Sequence, residues 1–223
     1  MKAADIFEFK WGRDTKGYEL LYLEGDAWRW KINPEGPDAG WVLRQKSGQL
    51  DYIEPLAYST LYLRLVNAST NEKLRNFADA FGPLRFPDAN ESPIDSLQFW
   101  RDRMAEVVQA GPSRRRQILE HAVAPAIARG DSFWAFANNV VADLAFDETD
   151  RMCVRLRPEN LQSAIWLQFA IDVEAGAEIR TCPQCANLFG VGPNTNHRMS
   201  AIYCSAKCQN AAAYARRKSK ISG

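Results

Sequence analysis

The sequence predicts an α+β fold that is mainly α: a small N-terminal β-sheet, a helical bundle, and a C-terminal finger of treble-clef or zinc-ribbon type. Three observations carry this expectation. β-like runs and turn residues fill roughly the first fifty positions, apolar residues recur at helical spacing from Pro55 onward, and four of the five cysteines crowd toward the C-terminus. At 223 residues, 46% hydrophobic and with 7 Trp, 7 Tyr and 11 Phe, the chain can bury a sizeable core in one or two domains. Collagen-like, coiled-coil and wholly disordered chains are excluded. No run of about 18 apolar residues exists, and Asp5 and Glu8 interrupt the N-terminus before a signal-peptide core can form. The expectation is a cytoplasmic protein without a membrane partner.

Runs at 6–10, 18–23 and 28–32 have strand character, with Glu24, Gly25 and Asp26 suited to a hairpin turn. Residues 34–40 form a Pro- and Gly-rich loop, and 41–43 a further strand. Helical spacing starts at Pro55 and runs through Leu56, Leu63 and Val66. Ser69 and Glu72 have the spacing of a capping box for a second helix that Gly82 and Pro83 stop. A polar loop follows at 84–91. Ser92 and Pro93 then open a helix carrying Leu97, Trp100, Met104 and Val107 to Gly111. Residues 113–129 read as helix with a break at Pro125, and Asp131 as the cap of a helix with apolar positions 133 to 144. A last body helix, 158–175, is apolar almost all round and therefore expected to be buried. The body is placed at 1–176, with its sheet at about 1–50 and its helices at about 54–176, and the finger at 177–223. No long linker separates them, so the two are expected to pack together.

The cysteines stand as Cys182-x2-Cys185-x18-Cys204-x3-Cys208, with Cys153 apart in an apolar run as a core thiol. Paired pairs are the zinc signature, because a Cys-x2-Cys knuckle converges two thiolates and a second pair four apart on a helix supplies two more. One structural Zn2+ held by Cys182, Cys185, Cys204 and Cys208 is the expected cofactor; two disulfides are the alternative in an oxidising compartment. Four thiolates leave no position for a catalytic water. Pro183 stiffens the knuckle, residues 188–189 begin its outgoing strand, and Ser205 is placed to cap the following helix. His197, between the pairs, reads as a surface or DNA-facing side chain rather than a ligand.

These residues, together with the loop Asn196, His197 and Arg198, the Tyr203-Cys204-Ser205 step, and the basic end Arg216, Arg217 and Lys218, resemble the CGNR-type zinc finger of bacterial proteins. The likeness covers about a fifth of the chain. It implies zinc on the four cysteines, a larger N-terminal domain ahead of the finger, and a stress-related transcriptional regulator that binds DNA. The chain departs from the pattern after the last cysteine, where Gly-Asn-Arg is replaced by Gln209, Asn210 and Ala211.

Charge supports an anionic partner. The chain has 28 basic and 27 acidic residues, yet no acid lies between Ile179 and Gly223 while seven bases do, so the body is negative and the tail positive. The residues expected to meet nucleic acid are Arg198, Lys207, Gln209, Asn210, Arg216, Arg217, Lys218 and Lys220. The body would sense a small ligand or a protein partner. No phosphate-binding glycine pattern, His-Glu-x-x-His or Gly-x-Ser-x-Gly occurs, and Asp147, Glu148 and Asp150 around Arg151 read as a solvated loop, so no enzyme is expected. Tryptophans 28, 30, 41, 100, 134 and 166 read as core. A structural clasp acting through protein contacts, with no nucleic acid, is the alternative function.

Overall fold

The computed structural model describes residues 9–24, 39–84, 91–111, 114–115, 140–146 and 152–221. The hairpin turn at 24–26, most of the segment at 113–129, the cap at Asp131 and the acidic loop around Arg151 fall wholly or largely outside them.

The architecture is mixed α and β with small antiparallel sheets, as expected, but the strands pair differently. Strand β1 (Trp11–Asp14) pairs with β4 (Leu50–Ile53), neither anticipated as a strand, while β2 (Tyr18–Glu24) pairs with β3 (Ala39–Gln45), and β3 with β5 (Glu91–Pro93). Asp14 joins the two sheets at their corner. Its carboxylate accepts from the Lys16 N–H (2.8 Å), the Gly48 N–H (2.7 Å) and both the N–H and hydroxyl of Ser47, so a charge only 2% exposed is fully partnered. Trp41 is 40% exposed rather than core. It shares a strand face with buried Leu43 but lies two residues nearer the strand's start, where it meets Tyr22 across the pair and stays exposed.

Helices cover this sheet layer. After a short turn at Pro55–Ala57, helix α1 is only Leu61–Val66, because Thr60 takes a left-handed backbone (φ 56°) and interrupts the run expected from Pro55. Helix α2 (Asn71–Phe81) is capped by Thr70, whose hydroxyl accepts from the Lys73 N–H at 3.2 Å, one residue later than the capping box at Ser69. Gly82 ends it with φ 83°, where a Cβ would strike the Gly12 carbonyl, and the Trp11 indole donates to Pro83 beside it (2.8 Å). Helix α3 (Ile94–Gln109) follows β5 directly, so Pro93 is the cap residue and Ser92 is in the strand.

The helix expected through residue 144 is corrected by strand β6 (Val140–Phe146), which pairs along its length with β7 (Met152–Pro158). A short apolar run fits either period, and the partner strand decides. β7 also takes Pro158, leaving helix α4 as Leu161–Glu174. Asn160 caps it, accepting from the Ser163 N–H at 2.9 Å. Its buried face includes Gln162, Gln168 and Asp172, whereas Trp166 and Leu167 are partly covered. No helix among the described residues is long and apolar enough to cross a membrane.

Candidate metal centre and basic helix

The C-terminal segment forms a β-hairpin, β8 (Glu178–Thr181) with β9 (Leu188–Val191), followed by helix α5 (Ala206–Ile221). The hairpin tip is the knuckle. The Cys182 N–H donates to the Asn187 carbonyl and the Ala186 N–H to the Cys182 carbonyl, both at 2.9 Å, which curls Cys182 and Cys185 toward one side. Closing this turn places Ala186 at φ 60°.

The second pair straddles the start of α5. Cys204 precedes the helix and Cys208 lies in its first turn, because Ser205 caps it and accepts from the Cys208 N–H at 3.2 Å. The pair is therefore not on one continuous helix face, yet the sulfurs still converge. All four Sγ atoms lie within 4.8 Å of one another, with Cys185 to Cys204 at 3.5 Å and Cys204 to Cys208 at 3.6 Å. Tetrahedral ligands about 2.3 Å from a metal are about 3.8 Å apart, so this cluster fits a single ion. No other cluster of metal-binding side chains occurs among the described residues.

Burial opposes ionisation of the Cys182 thiol, but N–H groups of Cys204, Gln184 and Cys185 outweigh it and draw the thiol down to about 6. Burial and the neighbouring thiols push Cys204 up to about 12. One thiolate thus forms readily while Cys204 and Cys185 resist, which is the electrostatic deficit that a dication removes.

The finger has its own small core of Cys182, Phe189 and Val191, with Ala201 and Tyr203 against it. The His197 ring packs edge-on to Phe189 (5.4 Å between centroids), so it supports the loop and is not a ligand. Arg180 ties the same loop down, donating to the Met199 carbonyl at 2.7 Å and pairing with Glu178 at 2.8 Å. The finger is seated on the body. Asn67, at the end of α1, donates to the Leu188 carbonyl (2.8 Å) and accepts from the Leu188 N–H (2.9 Å), and the Asp172 carboxyl of α4 lies beside Asn194 of the finger loop. Gly190 approaches Thr60 so closely that a Cβ would lie 3.2 Å from its methyl. None of these contacts carries a sequence motif.

Of the residues expected to face nucleic acid, Arg198, Lys207, Gln209, Asn210, Arg216, Arg217 and Lys218 are exposed. Arg216 turns back to donate to the Tyr203 hydroxyl at 3.0 Å. Lys220 lies in α5, with its side chain outside the described positions, as is that of Cys153 in β7. Exposed apolar neighbours on the finger are Met199, Ile202 and, at 71%, Tyr214. The fold and the site together define an α+β protein with a C-terminal finger whose four cysteines could hold a metal ion. Comparison with protein-family models, curated proteins and solved structures finds no match to the chain.

Proposed function

We propose that this chain is a zinc-stabilised regulator that binds nucleic acid through its C-terminal finger, the body serving as a sensing or partner-binding domain. The metal reading rests on donor chemistry: four soft thiolate ligands at tetrahedral spacing suit Zn2+, and a closed four-sulfur sphere makes it structural. Bound there, the ion crosslinks the hairpin to α5. The observation that carries the partner is the separation of charge. The acid-free segment from Ile179 onward ends in a 16-residue helix whose basic residues Lys207, Arg217 and Lys218 are exposed. Such a helix neutralises phosphates and releases their counterions.

The test is a binding titration of metal-loaded protein with duplex DNA over a salt series. About six phosphate contacts at most are within reach of the finger, so the logarithmic salt slope should be no steeper than roughly −5. Replacing Arg217 and Lys218 by Ala should flatten it by about 2 without loss of metal.

A second reading is favoured by the Asn67–Leu188 contact: the finger as a clasp that holds the C-terminus on the body for protein contacts. It takes precedence if metal-loaded protein binds neither DNA nor RNA at low salt.

A further inference from the structure

The basic helix is not uniform around its axis. Cys208 and Ala212 face inward with Ala213 at the flank, and Arg216 lies on that same side, bonded to Tyr203. At about 3.6 residues per turn, Lys207, Asn210, Tyr214 and Arg217 fall at successive spacings of three, four and three, which superimposes them on the opposite face. All four are exposed. Gln209, the other amide after the last cysteine, points away from this stripe.

We infer that this face, Lys207–Asn210–Tyr214–Arg217, enters the major groove of B-form duplex DNA, with Asn210 reading an adenine. The inference rests on the nucleic-acid reading above and specifies its partner and its reader. The cations stand at the two ends of the stripe, about 15 Å apart along the axis, and an amide and a phenol lie between them. A groove about 12 Å wide admits such a helix, leaving the end cations beside phosphates and the central pair beside base edges. An Asn amide makes paired hydrogen bonds to adenine N6 and N7, and an apolar ring fits a thymine methyl. Single strands are instead bound by several aromatic platforms, and the stripe has one. The major groove of A-form RNA is too narrow for side chains to read.

The experiment uses the full, metal-loaded chain. A duplex is selected from a randomised DNA library, and affinities are then measured for that duplex, a random duplex, its single strand and the matching RNA duplex. The selected duplex should contain an adenine and bind tightest. Asn210→Ala should lose about ten-fold or more on it and little on the random duplex, while Lys207→Ala and Arg217→Ala weaken both and flatten the salt slope by about 1 each. Gln209→Ala should change neither. If Asn210→Ala disturbs the finger, as metal content would reveal, the isosteric Asn210→Asp replaces it and should abolish the preference by setting a carboxylate against adenine N7. Tighter binding to single strands or RNA, an unaltered Asn210 variant, selection without a consensus, or a loss that follows Gln209 would each overturn the inference while leaving nucleic-acid binding in place. Failure to bind any of the probes would instead remove the reading on which it rests.

Discussion

Asn67 satisfies both backbone groups of Leu188, donating to its carbonyl and accepting from its N–H at 2.8 and 2.9 Å. One side chain at the end of α1 thereby takes the place of a third strand beside the hairpin, whose outer edge would otherwise present unpaired groups to a poorly hydrated interface. This amide is the hinge pin between body and finger. Asn67→Ala should lower stability by about 1–3 kcal/mol, since two bonds are lost and two groups are left unpaired. Denaturant unfolding measures it, and an unchanged midpoint would mean that the interface rests on apolar contacts alone.

Metal stoichiometry is the next expected outcome: one zinc per chain by elemental analysis. Cys204→Ser, which removes the sulfur closest to both Cys185 and Cys208, should release it and expose the finger to protease. The body should keep its far-UV helicity, because the residues of its main core lie almost wholly upstream of the finger. Loss of helicity throughout would show that the body depends on the metal.

Asp172 predicts a pH dependence. Burial is the chief cause that raises its carboxyl to about 6, while the neighbouring polar groups of Tyr62 and Asn194 pull it down. The native protein therefore holds a proton that the unfolded chain, near the ordinary 3.8, has released. This contribution to stability is present below pH 4 and disappears as the pH rises through 6. Asp172→Asn should be the more stable protein above pH 6, by an order of 2–3 kcal/mol, with the difference shrinking toward pH 4. Melting curves of both proteins across that range decide it; parallel curves would place the ionisation elsewhere.

At the knuckle, Ala186 occupies a left-handed conformation that costs an L-residue roughly 1–2 kcal/mol, of which a glycine's greater unfolded freedom takes back part. Ala186→Gly should tighten the finger by about 0.5–1 kcal/mol. Slower zinc release to a competing chelator is the measurement, and faster release would refute it.

The finger was legible in advance because its information is local. Cys182 and Cys185 form one turn, Ser205 caps the helix next to it, and spacing brings the second pair within reach, even though Cys204 sits ahead of α5 rather than on it. The body was less legible where periods are short. Residues 140–144 satisfied a helical pattern and became strand once β7 lay beside them. Trp41 reads as core by its type, yet it stands 40% exposed on the same strand face as buried Leu43, because no described residue packs over that end of the face.

What the sequence by itself determined was the mixed α+β class, the four-thiol site and the segregation of positive charge into the C-terminal segment, all of which depend on residue type and short spacing. Tertiary structure decided the rest. Helix α1 has no cap of its own: the Leu61 N–H is met by Gln168 Oε1 at 2.6 Å, and Gln168 in turn donates to the Tyr58 carbonyl, from 107 and 110 residues away. Asn67 finds the finger in the same manner. Side chains such as these carry one bond-forming group that many partners could satisfy, so nothing in their own neighbourhood selects among them; the packing of α4 and the hairpin against α1 does, by leaving one partner within hydrogen-bond distance and excluding water from the others.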